Sequence, residues 1–224
     1  MHRAAALLML SACGSTAGTP LDSGVTVDAI PAADAPPPAI ALFNGVDLNV
    51  WTWVSSDPAV KKEDVFQVAG GAIHCVGAPA GYLRTEAQFT SFVLTLKVRH
   101  LKPGNGGVFL RVQPPDKVWP RAIEVQGQSG AIGELWDLEG FPLETDPSRT
   151  SGPQVMRLRP EVPERPLGEW NELEIVLDRE ELRVTVNGTL QNEAHRCAVL
   201  PGAIALQSEG AEYEFRDLVL RPLD

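Results

Sequence analysis

Apolar and polar residues alternate along most of the chain, in short runs that turn residues separate. The clearest runs lie at 92–99 and 173–177, and further short runs close the chain at 202–210 and 213–220. Successive side chains of a β-strand point to opposite faces, so each run predicts a strand with one buried face. No segment of the globular part carries a long helical period. Roughly ten to twelve short strands at this spacing predict an all-β sandwich of two sheets.

Turn dipeptides show where the predicted strands are joined. Asn44-Gly45 and Asn187-Gly188 are turn signals, and the second is typical of a primed hairpin turn. Gly70-Gly71 separates two short strands predicted near 65–68 and 72–76. Apolar residues surround the first turn: Leu42, Phe43, Leu48 and Trp51.

The most informative stretch is 105–126, in which two alternating segments flank a proline-rich break. On the first segment, one face would carry Val108, Leu110 and Val112, and the other Phe109, Arg111 and Gln113. On the second, the apolar face would carry Ile123 and Val125, and the polar face Glu124 and Gln126. Neighbouring strands with these faces would bring Arg111, Glu124 and Gln126 together in a polar, sugar-sized site. The same pattern is typical of a solvated outer face with a chance ion pair.

Regular alternation is lost between residues 127 and 168, where Gly, Pro and charged residues dominate. A loop this long in a compact domain is usually functional or disordered. Trp136 would form a wall beside a site or anchor the loop to the core. The acidic residues Asp137, Glu139 and Glu144 could hold a hard cation, although acidic loops are usually just solvated. No spacing of histidines indicates a metal cage, and we predict no metal.

The first 39 residues differ in composition from the rest. A positive start and an apolar run at 4–10, too short to span a bilayer, predict an export signal. The Leu-Ser-Ala-Cys sequence ending at Cys13 resembles the bacterial lipobox, which implies a signal peptide over residues 1–12 and a lipidated Cys13. An ordinary signal peptide cleaved nearby is the alternative. The composition of residues 13–39 predicts a disordered tether. We expect the protein to be lipid-anchored in the cell envelope, at the outer membrane or facing the periplasm.

Composition narrows the remaining possibilities. The 224-residue length, less the N-terminal segment, suits one domain over residues 40–224. A formal net charge of −10 argues against a nucleic-acid partner, which would need a basic surface. Cys75 and Cys197 would either pair in an exported protein or remain as two buried thiols. We expect a monomer and predict no cofactor.

Several short blocks occur together in a recognisable order. They are Leu42-Phe43-Asn44-Gly45 with Trp51, Tyr82-Leu83-Arg84-Thr85, residues 105–111, Glu124-Val125-Gln126, residues 168–171, Val186-Asn187-Gly188, and residues 206–210 with 214–217. Over about residues 39–223 the chain resembles the 3-keto-disaccharide hydrolase family. The resemblance implies a concanavalin A-like jelly roll with two curved antiparallel sheets and a carbohydrate site on the concave one. The family often has Asn-Ser-Gly where this chain has a glycine at 106.

The resemblance implies a substrate that is a glycoside already oxidised to a ketone at its third carbon. A carboxylate would remove the proton beside the ketone, the leaving group would depart from the anomeric carbon, and water would add back. We predict Glu124 as the base and Arg111 as the charge stabiliser that keeps Glu124 ionised. The predicted substrate-binding residues are Asn105, Gln126, Trp136 and Glu209. Glu209 is also the alternative carboxylate, and a direct two-carboxylate glycosidase mechanism remains open.

A second class of function fits the same features. A surface carbohydrate-binding module could keep the jelly roll and have lost turnover. The glycine at 106 and the unusual segment after Gln126 both allow this alternative. Release of product from a 3-keto disaccharide would indicate an enzyme, and saturable binding without release would indicate a module.

Overall fold

A computed structural model describes residues 37–158 and 164–223. The predicted signal peptide, Cys13 and nearly all of the predicted tether lie outside the described residues. No helix among the described residues is long and apolar enough to cross a membrane. The two domain cysteines, Cys75 and Cys197, are buried free thiols, so of the two alternatives the unpaired one holds. Burial raises the pKa of the Cys75 thiol to about 11 and that of Cys197 to about 12.

The described part of the chain is built almost entirely from short strands and their connections. One helical turn, α1 (Lys62–Val65), and one 3₁₀ turn (Pro147–Arg149) accompany them. The strands are β1 (Ile40–Ala41), β2 (Trp51–Ser55), β3 (Phe66–Ala69), β4 (Ala72–Cys75), β5 (Gly81–Thr85), β6 (Phe92–His100), β7 (Gly107–Gln113), β8 (Arg121–Gln126), β9 (Leu135–Leu138), β10 (Thr150–Ser151), β11 (Gln154–Val155), β12 (Asn171–Asp178), β13 (Glu181–Val186), β14 (Thr189–Ala194), β15 (Ala203–Ser208) and β16 (Tyr213–Pro222).

The strands form two antiparallel sheets, as the alternation predicted. Sheet A has the order β14-β13-β12-β6-β16-β4-β3, with β1 paired to β16. Sheet B has the order β10-β11-β9-β8-β7-β15-β5-β2. Neighbours in each sheet are often distant in sequence, for example β6 beside β16 and β15 beside β5. Long connections that cross between two sheets are typical of a jelly roll, and the predicted all-β, concanavalin A-like jelly-roll fold is confirmed.

The main hydrophobic core lies between the two sheets. Strand β6 shows how the sequence builds it, since every second residue of Phe92–His100 is buried and the residues between are partly exposed. Its apolar side chains face those of β12, and Leu96 and Leu173 are direct cross-strand partners. Apolar area removed from water contributes about 25 cal/mol per Å² to stability. Because the alternation runs along the whole of β6, the strand contributes buried apolar area to the core along its full length.

The outer face of sheet B, which points away from sheet A, is also largely buried. A second and smaller apolar cluster covers it, separate from the main core: Tyr82, Phe109, Val112, Ala122, Ala203 and Ala205. The outer face of sheet A, in contrast, carries partly exposed polar residues such as Lys97 and Arg99. The outer side of this sheet is therefore covered by other parts of the chain, and the predicted site residues Glu124 and Gln126 lie on this side.

The segment 127–168 contains more structure than predicted. Strands β9, β10 and β11 lie within it and extend sheet B beyond β8. These strands are two to four residues long, which is too short to show a clear alternation of apolar and polar residues. The expectation of one long irregular loop is therefore wrong for this part of the segment, and β9 brings Trp136 into the sheet.

Candidate active site

Strands β7 and β8 are antiparallel neighbours in sheet B, and they frame the candidate site. Phe109 lies directly opposite Glu124, and Gly107 lies opposite Gln126. Ile123 and Val125 belong to the main core, so the intervening Glu124 side chain takes the outer face. The predicted alternation of β8 is confirmed.

Strand β7 follows the predicted alternation only as far as Leu110. A β-bulge interrupts the register between Leu110 and Gln113, and Arg111 has a left-handed backbone with φ of 52°. The extra residue shifts the alternation by one, so Val112 packs with Phe109 on the outer face instead of in the main core. The prediction that Arg111 shares a face with Glu124 is wrong for this reason.

The guanidinium of Arg111 binds backbone carbonyls at one end of the sandwich. The side chain is fully buried. Its nitrogens donate hydrogen bonds to the carbonyl of Thr90 at 2.6 and 3.0 Å, of Ala198 at 2.6 Å and of Arg179 at 2.7 Å. Thr90 precedes β6, and Arg179 follows β12, so Arg111 reaches towards sheet A. The structure gives it a role in joining the sheets and does not bring it to Glu124.

A cluster of four polar side chains surrounds the space beside Gly107. One carboxylate oxygen of Glu209, Oε2, accepts hydrogen bonds from Asn105 Nδ2 at 2.6 Å and Gln207 Nε2 at 2.7 Å. A Cβ placed on Gly107 would lie 2.9 Å from Oε1 of Glu124 and 3.2 Å from Oε1 of Gln207. These two oxygens, with the backbone carbonyl of Val125 at 3.0 Å from the same point, therefore lie close around Gly107, and a side chain at this position would collide with them.

The carboxyl groups of this cluster are shifted towards their neutral forms. Burial raises the pKa of Glu124 to about 8, the charge of Glu209 adds to the rise, and the Gln207 side chain opposes it. Burial also raises the pKa of Glu209, against the hydrogen bonds from Gln207 and Asn105. The expectation that a neighbouring arginine keeps Glu124 ionised is wrong, because Glu124 faces a second carboxyl group and a low-dielectric interior.

Several buried polar atoms near Glu124 have no hydrogen-bond partner among the described residues. They include the acceptors Asn105 Oδ1, Glu124 Oε1 and Gln207 Oε1 and the donor Trp136 Nε1. Buried polar groups in native proteins are nearly always hydrogen-bonded, so such a concentration needs an explanation. A ligand with several hydroxyl groups and a carbonyl would satisfy both kinds of atom, and a sugar carries such groups.

Trp136 and Gln126 are both neighbours of Glu124 in sheet B. Trp136 is the cross-strand partner of Glu124 on β9, which favours the wall over the core anchor. Gln126 lies two residues beyond Glu124 on the same face and is buried. Its Oε1 accepts a hydrogen bond from the backbone N–H of Gln128 at 3.0 Å, so it also holds the turn that follows β8.

Gln207 and Gly107 were not predicted as site residues. Strand β15 does carry a sequence signal, since the small or polar residues Ala203, Ala205 and Gln207 alternate with Ile204 and Leu206. That alternation places Gln207 on the outer face. Gly107 could not be recognised, because its importance is the space it leaves between two side chains from other strands.

The glycine at 106 has a local structural explanation. A Cβ at this position would lie 2.5 Å from the ring and hydroxyl of Tyr213. Tyr213 is buried, and its hydroxyl donates to the backbone carbonyl of Gln207. A serine at 106 therefore does not fit beside Tyr213, and the departure from the family pattern reflects packing behind the site.

No group of three or more His, Cys, Asp or Glu within residues 37–158 and 164–223 could hold a metal ion. The acidic loop residues are used in other ways: Glu139 pairs with Lys117 at 2.7 Å and Glu144 with Arg196 at 2.9 Å. Burial raises the pKa of Asp137.

Comparison with known proteins places these features in a family. A model of the 3-keto-alpha-glucoside-1,2-lyase-like domain matches residues 38–221. The chain belongs to this family. The match covers every strand described above except the last residue of β16, so family membership extends over both sheets and the whole Glu124 cluster. It supports a carbohydrate-related function.

Solved structures agree on the fold. Two proteins from Parabacteroides distasonis ATCC 8503, each described as a candidate glycosyl hydrolase, match with TM-scores of 0.62 and 0.57 at 18% and 17% identity. The first match covers 83% of this chain and 94% of that one, the second 78% and 100%. The carbohydrate-binding module CBM66 from Bacillus subtilis matches with a TM-score of 0.56 at 11% identity, over 77% and 95% of the two chains. No curated protein matches the sequence.

Proposed function

We propose that this protein cleaves 3-keto-glycosides, with Glu124 as the base that removes the proton beside the ketone. The observation that carries the proposal is a buried carboxyl group whose Oε1 lacks a hydrogen-bond partner among the described residues. This oxygen borders the space beside Gly107 together with the side-chain oxygen of Gln207. Family membership supports a sugar as the ligand.

The chemistry needs one proton transfer and one bond cleavage. Glu124 takes the proton from C2, the C2–H electron pair forms a C2–C3 double bond, and the ketone oxygen receives the displaced pair as an enolate. When the enolate collapses, the ketone is restored and a C1–C2 double bond forms. The C1–O pair then leaves with the aglycone, which takes up a proton. Water that adds at C1, with a proton returned to C2, completes a net hydrolysis; without water the reaction is a 1,2-elimination.

The raised pKa of Glu124 suits this step. A carboxylate with an ordinary pKa is a weak base for a carbon-bound proton, whereas a pKa of about 8 gives a stronger base that is still partly ionised near neutral pH. Burial supplies the shift, and Glu209 increases it. The rate is therefore expected to rise with pH through about 8 in the free enzyme.

Glu209, Asn105 and Gln207 form the supporting part of the site. Both amide groups donate to the same oxygen of Glu209, which fixes the amide orientation and turns their own oxygens away from Glu209. The freed oxygens of Asn105 and Gln207 can accept hydrogen bonds from substrate hydroxyl groups. In its protonated form, which burial favours by raising its pKa, Glu209 would donate a proton to the departing oxygen.

The test is incubation of the purified protein with a 3-keto disaccharide, with the products separated and identified. Wild-type protein should release a 3-keto monosaccharide or its 1,2-unsaturated form. Glu124→Gln should fold normally and lose at least about a hundredfold in turnover, because the amide keeps the shape but has no basic oxygen. Glu174→Gln is the matched control, since Glu174 is exposed on the outer face of sheet A, and it should keep full turnover.

Other outcomes of this assay point to different functions. Full activity of Glu124→Gln with loss of activity in Glu209→Gln would move the base to Glu209. Saturable binding without product release would favour a carbohydrate-binding module, for which the unpartnered acceptors of Asn105 and Gln207 would serve equally well.

We also propose that the mature protein is lipid-anchored in the cell envelope through Cys13, on the sequence that precedes it. In cells, Cys13→Ser should leave uncleaved precursor or a soluble secreted form. Membrane retention of that variant at the wild-type level would contradict the anchor.

A further inference from the structure

The proposed reaction needs a donor for the enolate oxygen, and Arg111 is not placed to supply it. Of the unpartnered buried atoms around Glu124, the side-chain oxygens of Asn105, Glu124 and Gln207 are acceptors. An enolate oxygen needs the opposite, a hydrogen-bond donor. The indole nitrogen of Trp136 is a buried donor without a partner among the described residues.

The sheet register places this indole beside the base. Trp136 and Glu124 are direct cross-strand partners, and the flanking Leu135 and Val125 are paired with each other in the main core. The side chains of Trp136 and Glu124 therefore share the outer face. Directly opposed residues in antiparallel strands have Cβ atoms about 4.5–5.5 Å apart, which is within reach of a substrate bound between them.

Two other tryptophans of sheet B, both on β2, have indole nitrogens that are hydrogen-bonded. The indole nitrogen of Trp51 donates to the carbonyl of Leu42 at 3.1 Å, and that of Trp53 donates to the carbonyl of Val60 at 3.1 Å. Indole N–H groups usually find a partner when they are buried. Trp136 is equally able to donate, and its nitrogen is inaccessible to solvent.

We infer that the indole N–H of Trp136 donates a hydrogen bond to the C3 oxygen of the substrate as Glu124 removes the C2 proton. The inference rests on the proposed function and makes Trp136 a catalytic residue of it. As the C2–H pair moves into the C2–C3 bond, negative charge collects on the C3 oxygen, and a fixed donor in a water-poor site stabilises that charge more than it stabilises the neutral ketone. A neutral donor also leaves the pKa of Glu124 high, which a cationic donor would lower.

Trp136→Phe tests the inference, because phenylalanine keeps an aromatic ring and removes the N–H donor together with part of the indole ring. We expect kcat to fall by about 10²-fold, the usual scale for removing one oxyanion donor, with KM changed less than about threefold. Exchange of the C2 proton with solvent deuterium should fall by a similar factor, because exchange reports enolate formation independently of the leaving group. Trp119→Phe is the control; Trp119 is 42% exposed on the loop before β8 and should leave both rates unchanged.

A second variant separates the effect of losing the donor from the effect of disturbed packing. Trp136→His keeps an N–H group in a smaller ring, so it should retain more exchange than Trp136→Phe even though it disturbs packing more. Equal losses of exchange in the two variants would overturn the inference. Full exchange in Trp136→Phe, with Glu124→Gln inactive, would also overturn the inference but would leave the proposed function standing. Wild-type protein that neither exchanges the C2 proton nor releases product would overturn the proposed function itself.

Discussion

Strands β7 and β8 of sheet B each carry a buried charged residue, and the surroundings of the two differ completely. Arg111 is 0% exposed, and its guanidinium is held by three backbone carbonyls from other parts of the chain. Glu124 is 4% exposed, has an unpartnered oxygen among the described residues, and faces another carboxyl group. Burial alone therefore does not distinguish a structural charge from a candidate catalytic one.

The difference lies in what replaces water around each charge. Carbonyl groups solvate the arginine, so its charge is stable, and it ties segments of both sheets together. Around Glu124 the protein supplies few donors, so the carboxylate is destabilised and its pKa rises. A group held in this unfavourable state by the rest of the fold is prepared to take up a proton. The following predictions test the contrast, in order of decreasing effect.

Removal of Arg111 is expected to have the largest effect on stability. Arg111→Met leaves three buried carbonyls without their donors, and each unsatisfied group costs about 1–3 kcal/mol, so the free energy of unfolding should fall by about 5 kcal/mol. Denaturant unfolding measures this loss. The control is Arg183→Met on the exposed side of β13, expected to stay within about 0.5 kcal/mol of wild type. Equal effects of the two substitutions would contradict the structural role of Arg111.

The ionised Glu124 side chain should lower the free energy of unfolding at high pH, whereas Arg111 raises it. Its pKa is about 8 in the folded protein against an ordinary value of 4.5, so the folded state holds the proton more tightly. Stability therefore falls as pH rises from about 4.5 to 8, and the full cost persists above 8. Glu124→Gln mimics the protonated form and removes this cost. It should match wild type near pH 4.5 and exceed its free energy of unfolding by about 4–5 kcal/mol at pH 9.

The contrary result for Glu124 is a difference between variant and wild type that does not change with pH. Such a result would mean that the carboxylate is solvated in the folded state, and it would remove the main argument for a strong base. Glu174→Gln, on the exposed face of sheet A, gives the baseline for the same pH series.

Gly107→Ala tests the space between Glu124 and Gln207. The added methyl group would lie 2.9 Å from the Glu124 oxygen and 3.2 Å from the Gln207 oxygen. It should reduce turnover at least about tenfold by displacing the Glu124 and Gln207 side chains, with a stability loss of about 1–2 kcal/mol from overpacking. Thermal unfolding measured beside turnover separates the two effects. Unchanged turnover would show that substrate binds elsewhere.

The sequence predicted the fold better than the site, and particular residues show why. Alternation in β6 and β8 defines their buried faces locally, so the sandwich and the orientation of Glu124 followed directly. The β-bulge at Arg111 adds one residue to the strand, and the alternation of apolar and polar residues does not show it. The Arg111 side chain therefore lies on a different side of the sheet from the one predicted. Strands β9 to β11 are too short to alternate visibly. The pKa of Glu124 depends on its burial and on Glu209, which is 85 positions away in the chain. No local sequence pattern can show either effect.

An exposed ion pair at the other end of the same outer face should have the smallest effect. Arg84 donates to both carboxylate oxygens of Asp116 at 2.9 Å, a geometry as good as that of the Arg111 contacts. The two side chains are 25% and 40% exposed, so water solvates them in both folded and unfolded states, and salt screens their attraction. Asp116→Asn should therefore lower the free energy of unfolding by less than about 1 kcal/mol, and by less still at high salt. Unfolding measured at low and high ionic strength checks this. A loss that approaches that of Arg111→Met would show that hydrogen-bond geometry, and not exclusion of water, sets the difference between the charged groups of sheet B.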